Sequence, residues 1–300
     1  MRIAVIDLGS NSIILCIAEK TNKHIKALYE ESNITRIGRN IESTQQLHPD
    51  SIEKSLAVLK KYRDICDRYD VTRIQCFATD AIREAKGAEN FIQTVRKSTG
   101  IEVNILSGEK EAKLTFRAVL HEFEEHKGKF LAIDIGGGSV EIIKGNQNLI
   151  EISKSLKIGA VRIKEKFDIK DIINNLNREK ITKHIHSMLP PIKIGNDTIT
   201  VSTGGTITSL QAINLGLKKF EHEKVHKTTI SYHEISSLFD YLNKISLKER
   251  KKIPCLKPER ADIIHIGALI LKSIMDFYKI NSLYVSNRGV RWGLIYEMLL

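Results

Sequence analysis

The chain has 300 residues, 42% hydrophobic and 28% charged with only 5 prolines, which excludes a disordered or collagen-like polymer and suits two packed domains better than one. The formal net charge of +11 favours polyanionic partners, yet aromatics make up only 6% and no run interleaves them with Arg or Lys, so no nucleic-acid partner is expected. Four scattered cysteines without a C-x-x-C pair exclude a disulfide framework, and no stretch reads as a signal peptide or membrane span, so the expectation is a soluble cytoplasmic protein with no membrane partner.

In chain order, Ile3–Ile6 and Ser12–Glu19 read as the strands of a hairpin around an Asp-Gly turn. His48–Tyr69 reads as a helix, with Ile52, Leu56, Leu59 and Cys66 on one face and Pro49, Asp50 and Glu53 at its start. Arg73–Thr79 follows as a buried strand, Ala88–Lys97 as a helix and Ile101–Leu106 as a strand, and Ser107-Gly108 then opens a helix from Glu109 to about Glu124. Charged residues from Glu122 to Lys129 read as a linker, after which Phe130 restarts the strand–turn–strand unit. Lys164–Met188 is a polar helical stretch broken by Pro190-Pro191, and Thr198–Ser202 is a buried strand. A long apolar helix over Ala261–Tyr278, a strand over Ser282–Ser286, a turn at Gly289–Arg291 and a last helix close the chain. Strands alternating with helices predict an α/β fold, divided into domains 1–124 and 125–300.

One phrase occurs twice. Ala4-Val5-Ile6-Asp7-Leu8-Gly9-Ser10-Asn11-Ser12 and Ala132-Ile133-Asp134-Ile135-Gly136-Gly137-Gly138-Ser139 are each an apolar run, a lone Asp and a Gly/Ser turn leading into another apolar run. They lie about one domain length apart, as two copies of one fold would. Glycine lets the backbone turn sharply and brings N–H groups close to an anion. An Asp at a strand end suits Mg²⁺, and two such turns suit a metal-bound phosphate between the copies. Thr203-Gly204-Gly205-Thr206 is a third turn of phosphate-binding type.

Two further segments carry chemistry-bearing residues. In Cys76-Phe77-Ala78-Thr79-Asp80-Ala81-Ile82-Arg83, a strand delivers Thr79 and a turn presents Arg83, whose fork matches phosphate. A surface pair of Arg83 with Glu84 or Glu89 is the plainer alternative. In Ser107-Gly108-Glu109-Lys110-Glu111, two acids enter the first turn of a helix, where simple capping would also place them. His222-Glu223-Lys224-Val225-His226 matches H-E-x-x-H, but the β-branched run from Val225 to Ile230 argues for strand or loop rather than the helical face that zinc requires.

Together these motifs resemble the exopolyphosphatase / guanosine pentaphosphate phosphohydrolase family of the actin-like, sugar-kinase-like ATPase superfamily. Further matching segments are Ile158-Gly159-Ala160-Val161-Arg162, Pro258-Glu259-Arg260-Ala261-Asp262 and Val285 to Gly293. The resemblance implies two ribonuclease-H-like domains facing an interdomain cleft. It implies hydrolysis of the terminal phosphoanhydride of inorganic polyphosphate, with guanosine pentaphosphate as the alternative substrate and Mg²⁺ (or Mn²⁺) as cofactor. It makes Glu111 the carboxylate that activates water and Arg83 a phosphate-binding arginine. Asp134, Glu141 and Asp7 become the metal-handling acids. Ser10, Asn11, Ser12, Thr79, Gly136, Gly137, Gly138, Ser139, Gly204, Gly205 and Thr206 become the phosphate cradle.

The sequence departs from the family pattern at Lys110, where a second acid is usual, and at Asp80, Asn287 and Trp292. Lys110 is placed to neutralise Glu111 or to hold an incoming phosphate. Longer family members add a C-terminal helical region, whereas this sequence stops at Leu300, so short polyphosphate is the expected substrate. A non-catalytic polyphosphate or alarmone sensor and an actin-like ATPase are the rival readings. The oligomeric state stays open, a homodimer included.

Overall fold

The computed structural model describes residues 1–21, 24–195 and 197–300. The chain begins with β1 (Arg2–Leu8), β2 (Ser12–Lys20) and β3 (Ile25–Ile34), then α1 (Ile41–Thr44), α2 (Pro49–Arg68) and β4 (Arg73–Ala78). It continues through α3 (Asp80–Glu84), α4 (Ala88–Thr99), β5 (Val103–Ile105) and α5 (Gly108–Glu122). Next come β6 (Lys129–Ile135), β7 (Val140–Gly145), β8 (Ile150–Leu156), α6 (Ala160–Lys166), α7 (Asn175–Met188) and β9 (Thr198–Thr203). The last part holds α8 (Gly205–Asn214), α9 (His222–Val225), β10 (Thr229–Ser231), α10 (Tyr232–Lys244), α11 (Leu247–Arg250), α12 (Ile264–Tyr278), β11 (Ser282–Val285) and α13 (Val290–Leu299). No helix among the described residues is long and apolar enough to cross a membrane.

Two compact units result, Met1–Leu114 with Val290–Leu300, and Thr115–Gly289. The expected division was 1–124 and 125–300. The chain instead changes unit inside α5, and its last helix belongs to the first unit, where α13 packs on β1 and β2. That packing is close enough for a Cβ on Gly293 to overlap the Leu114 carbonyl.

The sheet of the first unit runs β3-β2-β1-β4-β5 and that of the second β10-β11-β9-β6-β7-β8. In each, an antiparallel meander (β1-β2-β3; β6-β7-β8) continues through two strands parallel to its first member (β4 and β5; β9 and β11), and β10 closes the second sheet antiparallel to β11. This is the ribonuclease-H-like order, laid down twice. The central strands β1 and β6 are buried along nearly their whole length, which is why Ile3–Ile6 and Phe130–Ile133 are unbroken apolar runs. The outer meander strands β3 and β8 are only partly buried and their sequences mix charged and apolar residues.

Each unit has its own core, one built on residues from Ala4 to Val103 and the other on residues from Leu131 to Val285. Within the second core Arg250 is fully buried. It donates to the carbonyls of Ala261 (2.8 Å), Leu242 (2.7 Å) and Ile245 (3.0 Å) and pairs with Asp171. Removing this cation orphans three carbonyls and strands the Asp171 charge. Arg250→Ala should therefore lower unfolding free energy by about 3–5 kcal/mol in urea titration.

Candidate active site

The chemistry of the first unit gathers at one edge of its sheet, because β1, β4 and β5 are parallel and release their C-terminal ends on the same side. From β1 come Asp7 and the Gly9–Ser12 turn, closed by Gly9 N–H on the Ser12 carbonyl at 3.0 Å. β4 delivers Thr79 and then α3, and β5 leads through Leu106 into α5 with Glu111.

The Asp7 side chain is 13% exposed, and desolvation pushes its carboxyl from the usual 3.8 up to about 6, against the opposing pull of Arg291. Arg291 Nη1 lies 3.7 Å from Asp7 Oδ2. Ser10 and Asn11 are buried, and the Asn11 amide oxygen has no hydrogen-bond partner among the described residues. A buried polar side chain left so is suited to a bound ligand.

Arg83 is gripped on several sides. Nη1 donates to the Leu106 carbonyl at 2.6 Å and lies 3.6 Å from Glu111 Oε2, while Nη2 lies 3.6 Å from Asp80 Oδ1. Its acidic partners in this set are thus Asp80 and Glu111, one of which is the predicted catalytic carboxylate. Glu111 is buried in the first turn of α5, where the Ser107 hydroxyl caps the Lys110 N–H at 3.2 Å. Lys110 does not neutralise Glu111. Its ammonium donates to both carboxylate oxygens of Glu297 on α13, at 2.8 and 2.9 Å.

In the second unit the parallel strands β6, β9 and β11 do the same work. Asp134 lies directly opposite Glu141 on β7 and opposite Thr203 on β9. Directly opposed residues in an antiparallel pair share a face, so the two carboxylates stand together. Glu141 is buried and accepts a hydrogen bond from the Ser155 hydroxyl at 2.6 Å.

Gly204 has φ +96°, and a Cβ there would overlap Asp134 Oδ1. Only glycine meets both demands. It opens α8 with no side-chain cap, so the first N–H groups of that helix remain for an anion, with Gly205 and Thr206 beside them. The turn from Gly136 to Ser139 is closed by Gly136 N–H on the Ser139 carbonyl at 3.0 Å.

The structure thus groups Asp7, Ser10, Asn11, Thr79, Arg83 and Glu111 within one unit, and Asp134, Gly136–Ser139, Glu141 and Gly204–Thr206 within the other. Ser12 enters through its backbone carbonyl.

The Ppx/GppA phosphatase family model matches residues 16–300. The chain belongs to this family. It is 34% identical over 308 aligned residues to the bifunctional 3-dehydroquinate synthase/phosphatase of Fusobacterium nucleatum, covering 98% of this chain and 46% of that protein, so it spans about half of that relative's length. It is 26% identical to exopolyphosphatase 1 of Mycobacterium tuberculosis, over 100% of this chain and 88% of the relative. The Aquifex aeolicus PPX-GPPA enzyme superposes with a TM-score of 0.83 at 32% identity, covering 99% of both chains. An exopolyphosphatase from Cytophaga hutchinsonii does so with 0.92 at 27%, over 100% of this chain and 98% of that one.

Two residues at the family motifs were missed as site residues. Arg291 is the cation of Asp7. The Arg260 guanidinium covers Gly205 at the start of α8, filling the space a Cβ would need. Both fall inside segments that match the family, but their partners lie far away in sequence. The H-E-x-x-H segment is a helical turn, α9, rather than strand or loop. His226 Nε2 lies 2.9 Å from Glu122 Oε2, and its Nδ1 accepts from the Asn287 N–H at 3.4 Å, so both ring nitrogens are engaged within the protein.

For donors of hard-metal type the second unit offers the Asp134–Glu141 pair. Among the described residues no cluster of three or more metal-type ligands forms. Two adjacent carboxylates completed by water and phosphate oxygens fit Mg²⁺ or Mn²⁺.

The raised pKa of Asp7 has a consequence for stability. Its folded-state value exceeds the unfolded one, so the native state holds the extra proton; that stabilisation is full below about 3.8 and is lost as pH rises through about 6. Asp7→Asn removes the dependence. In urea titrations with EDTA, the stability of the variant relative to the parent should rise by about 2 kcal/mol between pH 4 and pH 7.

Proposed function

We propose that the chain is a phosphoanhydride hydrolase, an exopolyphosphatase that removes the terminal phosphate of inorganic polyphosphate as orthophosphate. The observation that carries this reading is Glu111, a buried carboxylate in the first turn of a helix, held 3.6 Å from Arg83. A carboxylate so fixed is suited to orient a water molecule and accept its proton, and the arginine beside it to bind the phosphoryl oxygens. The second set of groups meets the negative charge. N–H groups of Gly136–Ser139 and of the α8 N-terminus suit terminal phosphoryl oxygens, and Thr79, Ser10 and Asn11 offer short polar contacts. Asp134 and Glu141 would hold Mg²⁺ or Mn²⁺, and the ion would neutralise phosphoryl charge. Alignment and charge stabilisation supply most of the rate in phosphoryl transfer, so no covalent intermediate is required.

The family resemblance and the exopolyphosphatase relatives support polyphosphate as substrate, and guanosine pentaphosphate ends in the same anhydride chemistry. Four buried cysteines, Cys16, Cys66, Cys76 and Cys255, form no disulfide among the described residues and suit a reducing compartment, and we place the protein in the cytoplasm.

The test is phosphate release with Mg²⁺ from tripolyphosphate, long polyphosphate, guanosine pentaphosphate and ATP side by side. Faster release from polyphosphate is expected; preference for ATP would overturn the reading in favour of an actin-like ATPase, and no release at all in favour of a sensor. Glu111→Gln should lower kcat by about 10²–10⁴ with little change in thermal midpoint. Asp134→Asn should raise the Mg²⁺ concentration giving half-maximal rate; an unchanged metal titration would remove Asp134 from the metal set.

A further inference from the structure

The Gly136–Ser139 turn has a front and a back, and its back is fully bonded. The Ala160 N–H donates to the Gly136 carbonyl at 3.0 Å, those of Val161 and Arg162 to the Gly137 carbonyl at 2.8 and 3.2 Å, and that of Gly159 to the Gly138 carbonyl at 3.1 Å. Arg162 then adds its side chain, Nε donating to the same Gly138 carbonyl at 3.1 Å. In a trans peptide the N–H points opposite to the carbonyl it is bonded to. Holding the carbonyls of residues 136, 137 and 138 from behind therefore turns the N–H groups of Gly137, Gly138 and Ser139 to the front. Gly159 makes the approach sterically open, since a Cβ there would overlap the Gly137 carbonyl.

The first unit uses the same device at the equivalent place, just after its third strand. The N–H groups of Thr35 and Arg36 bond the Asn11 carbonyl at 3.2 and 3.0 Å, and that of Gly38 bonds the Ser10 carbonyl at 2.9 Å. Arg36 holds φ at +52°, an uncommon conformation for a residue with a side chain, within this buttress. The two turns differ in stiffness. Ser10-Asn11 has side chains that restrict it, whereas three consecutive glycines make the softest backbone in the chain. The soft turn receives a side-chain donor, from an arginine buried to 6% exposure.

We propose that Arg162 is a positioning residue for the reaction: bonded to the Gly138 carbonyl, it fixes the N–H groups of Gly137, Gly138 and Ser139 in the direction of the terminal phosphoryl group. The proposal rests on the phosphate-cleaving reading given above. Arg162 itself stands behind the turn and touches no substrate. A lysine at 162 lacks the Nε–H and the planar fork, so it does not replace the bond.

Three measurements on the full chain decide it. In Arg162→Ala, kcat for tripolyphosphate should fall about 10–100-fold while KM changes less than about threefold, because misdirected donors are lost where charge develops. Guanidinium ion added to this variant should recover part of kcat, and Arg162→Lys should remain impaired. Hydrogen exchange of the Gly136, Gly159, Ala160 and Val161 amides should quicken about tenfold or more, with β6 and β9 unchanged. Unaltered exchange at those amides, or parent-like kcat, would overturn the proposal. So would a loss of kcat that guanidinium does not relieve and that comes with faster exchange throughout the second unit. If the parent protein released no phosphate from any substrate, the functional reading would fall, while the exchange measurement would still decide whether Arg162 holds the turn.

Discussion

A carboxylate near the end of a central strand, Asp7 on β1 and Asp134 on β6, is the constraint around which each unit is built. At Asp7 the cost of burial is visible in a pKa pushed up to about 6. An isolated buried anion is expensive, and a protein meets the expense by supplying a cation or by exchanging charge for a proton. Here α13 returns Arg291 to within 3.7 Å of Asp7, which ties the last helix of the chain to its first strand. At Asp134 close approach of the backbone is the visible constraint. Gly204 and Gly289 clear the space beside its two oxygens, and a Cβ on Gly289 would press on Thr203 Oγ1 at 2.5 Å. Asp7 is thus matched by a guanidinium, and Asp134 faces Glu141 across the hairpin.

The strand order explains why these groups meet. Parallel strands end on one side, so a carboxylate after β1, an arginine after β4 and a second carboxylate after β5 reach one sheet edge despite wide sequence separation. Charge is then sorted within that edge. Arg83 stands between Asp80 and Glu111, and Lys110, next to Glu111 in sequence, is drawn off to Glu297. Successive residues on a helix point about 100° apart, so adjacency in sequence does not bring Lys110 and Glu111 together.

Local features of the fold were legible in the sequence, and long-range ones were not. The hairpin turns at Asp7 and Asp134, helices such as Pro49–Arg68 and Ile264–Tyr278, and the buried strands show clear periodicity or unbroken apolar runs. The Lys164–Met188 stretch, read as one polar helical segment, is two helices, α6 and α7, with irregular chain between them. Its apolar residues are too few to mark the break. The strand β3 has no clear local signal, because a half-buried strand carrying Lys26, Glu30 and Glu31 lacks an apolar run. The placement of α13 in the first unit has no local signal at all, and with it go the partners of Asp7 and Lys110. The same holds for Arg260 over Gly205 and for His226 against Glu122, where composition shows a motif but not what it touches.

Two departures from the family pattern are accommodated by this returning helix. Trp292 occupies a position where an acid is usual, and its indole N–H donates to Glu30 Oε1 at 3.3 Å on β3. Lys110 occupies another, and its partner Glu297 lies on α13 as well. In each case the new donor is directed to a carboxylate other than the predicted catalytic one. The ion pair between Lys110 and Glu297 is partly exposed, so it adds about 0–1 kcal/mol of stability. Its larger effect is directional: the lysine is held by Glu297, and Arg83 approaches Glu111 to 3.6 Å. The chemistry of the first unit therefore depends on eleven C-terminal residues, Val290–Leu300, that sequence distance alone would assign elsewhere.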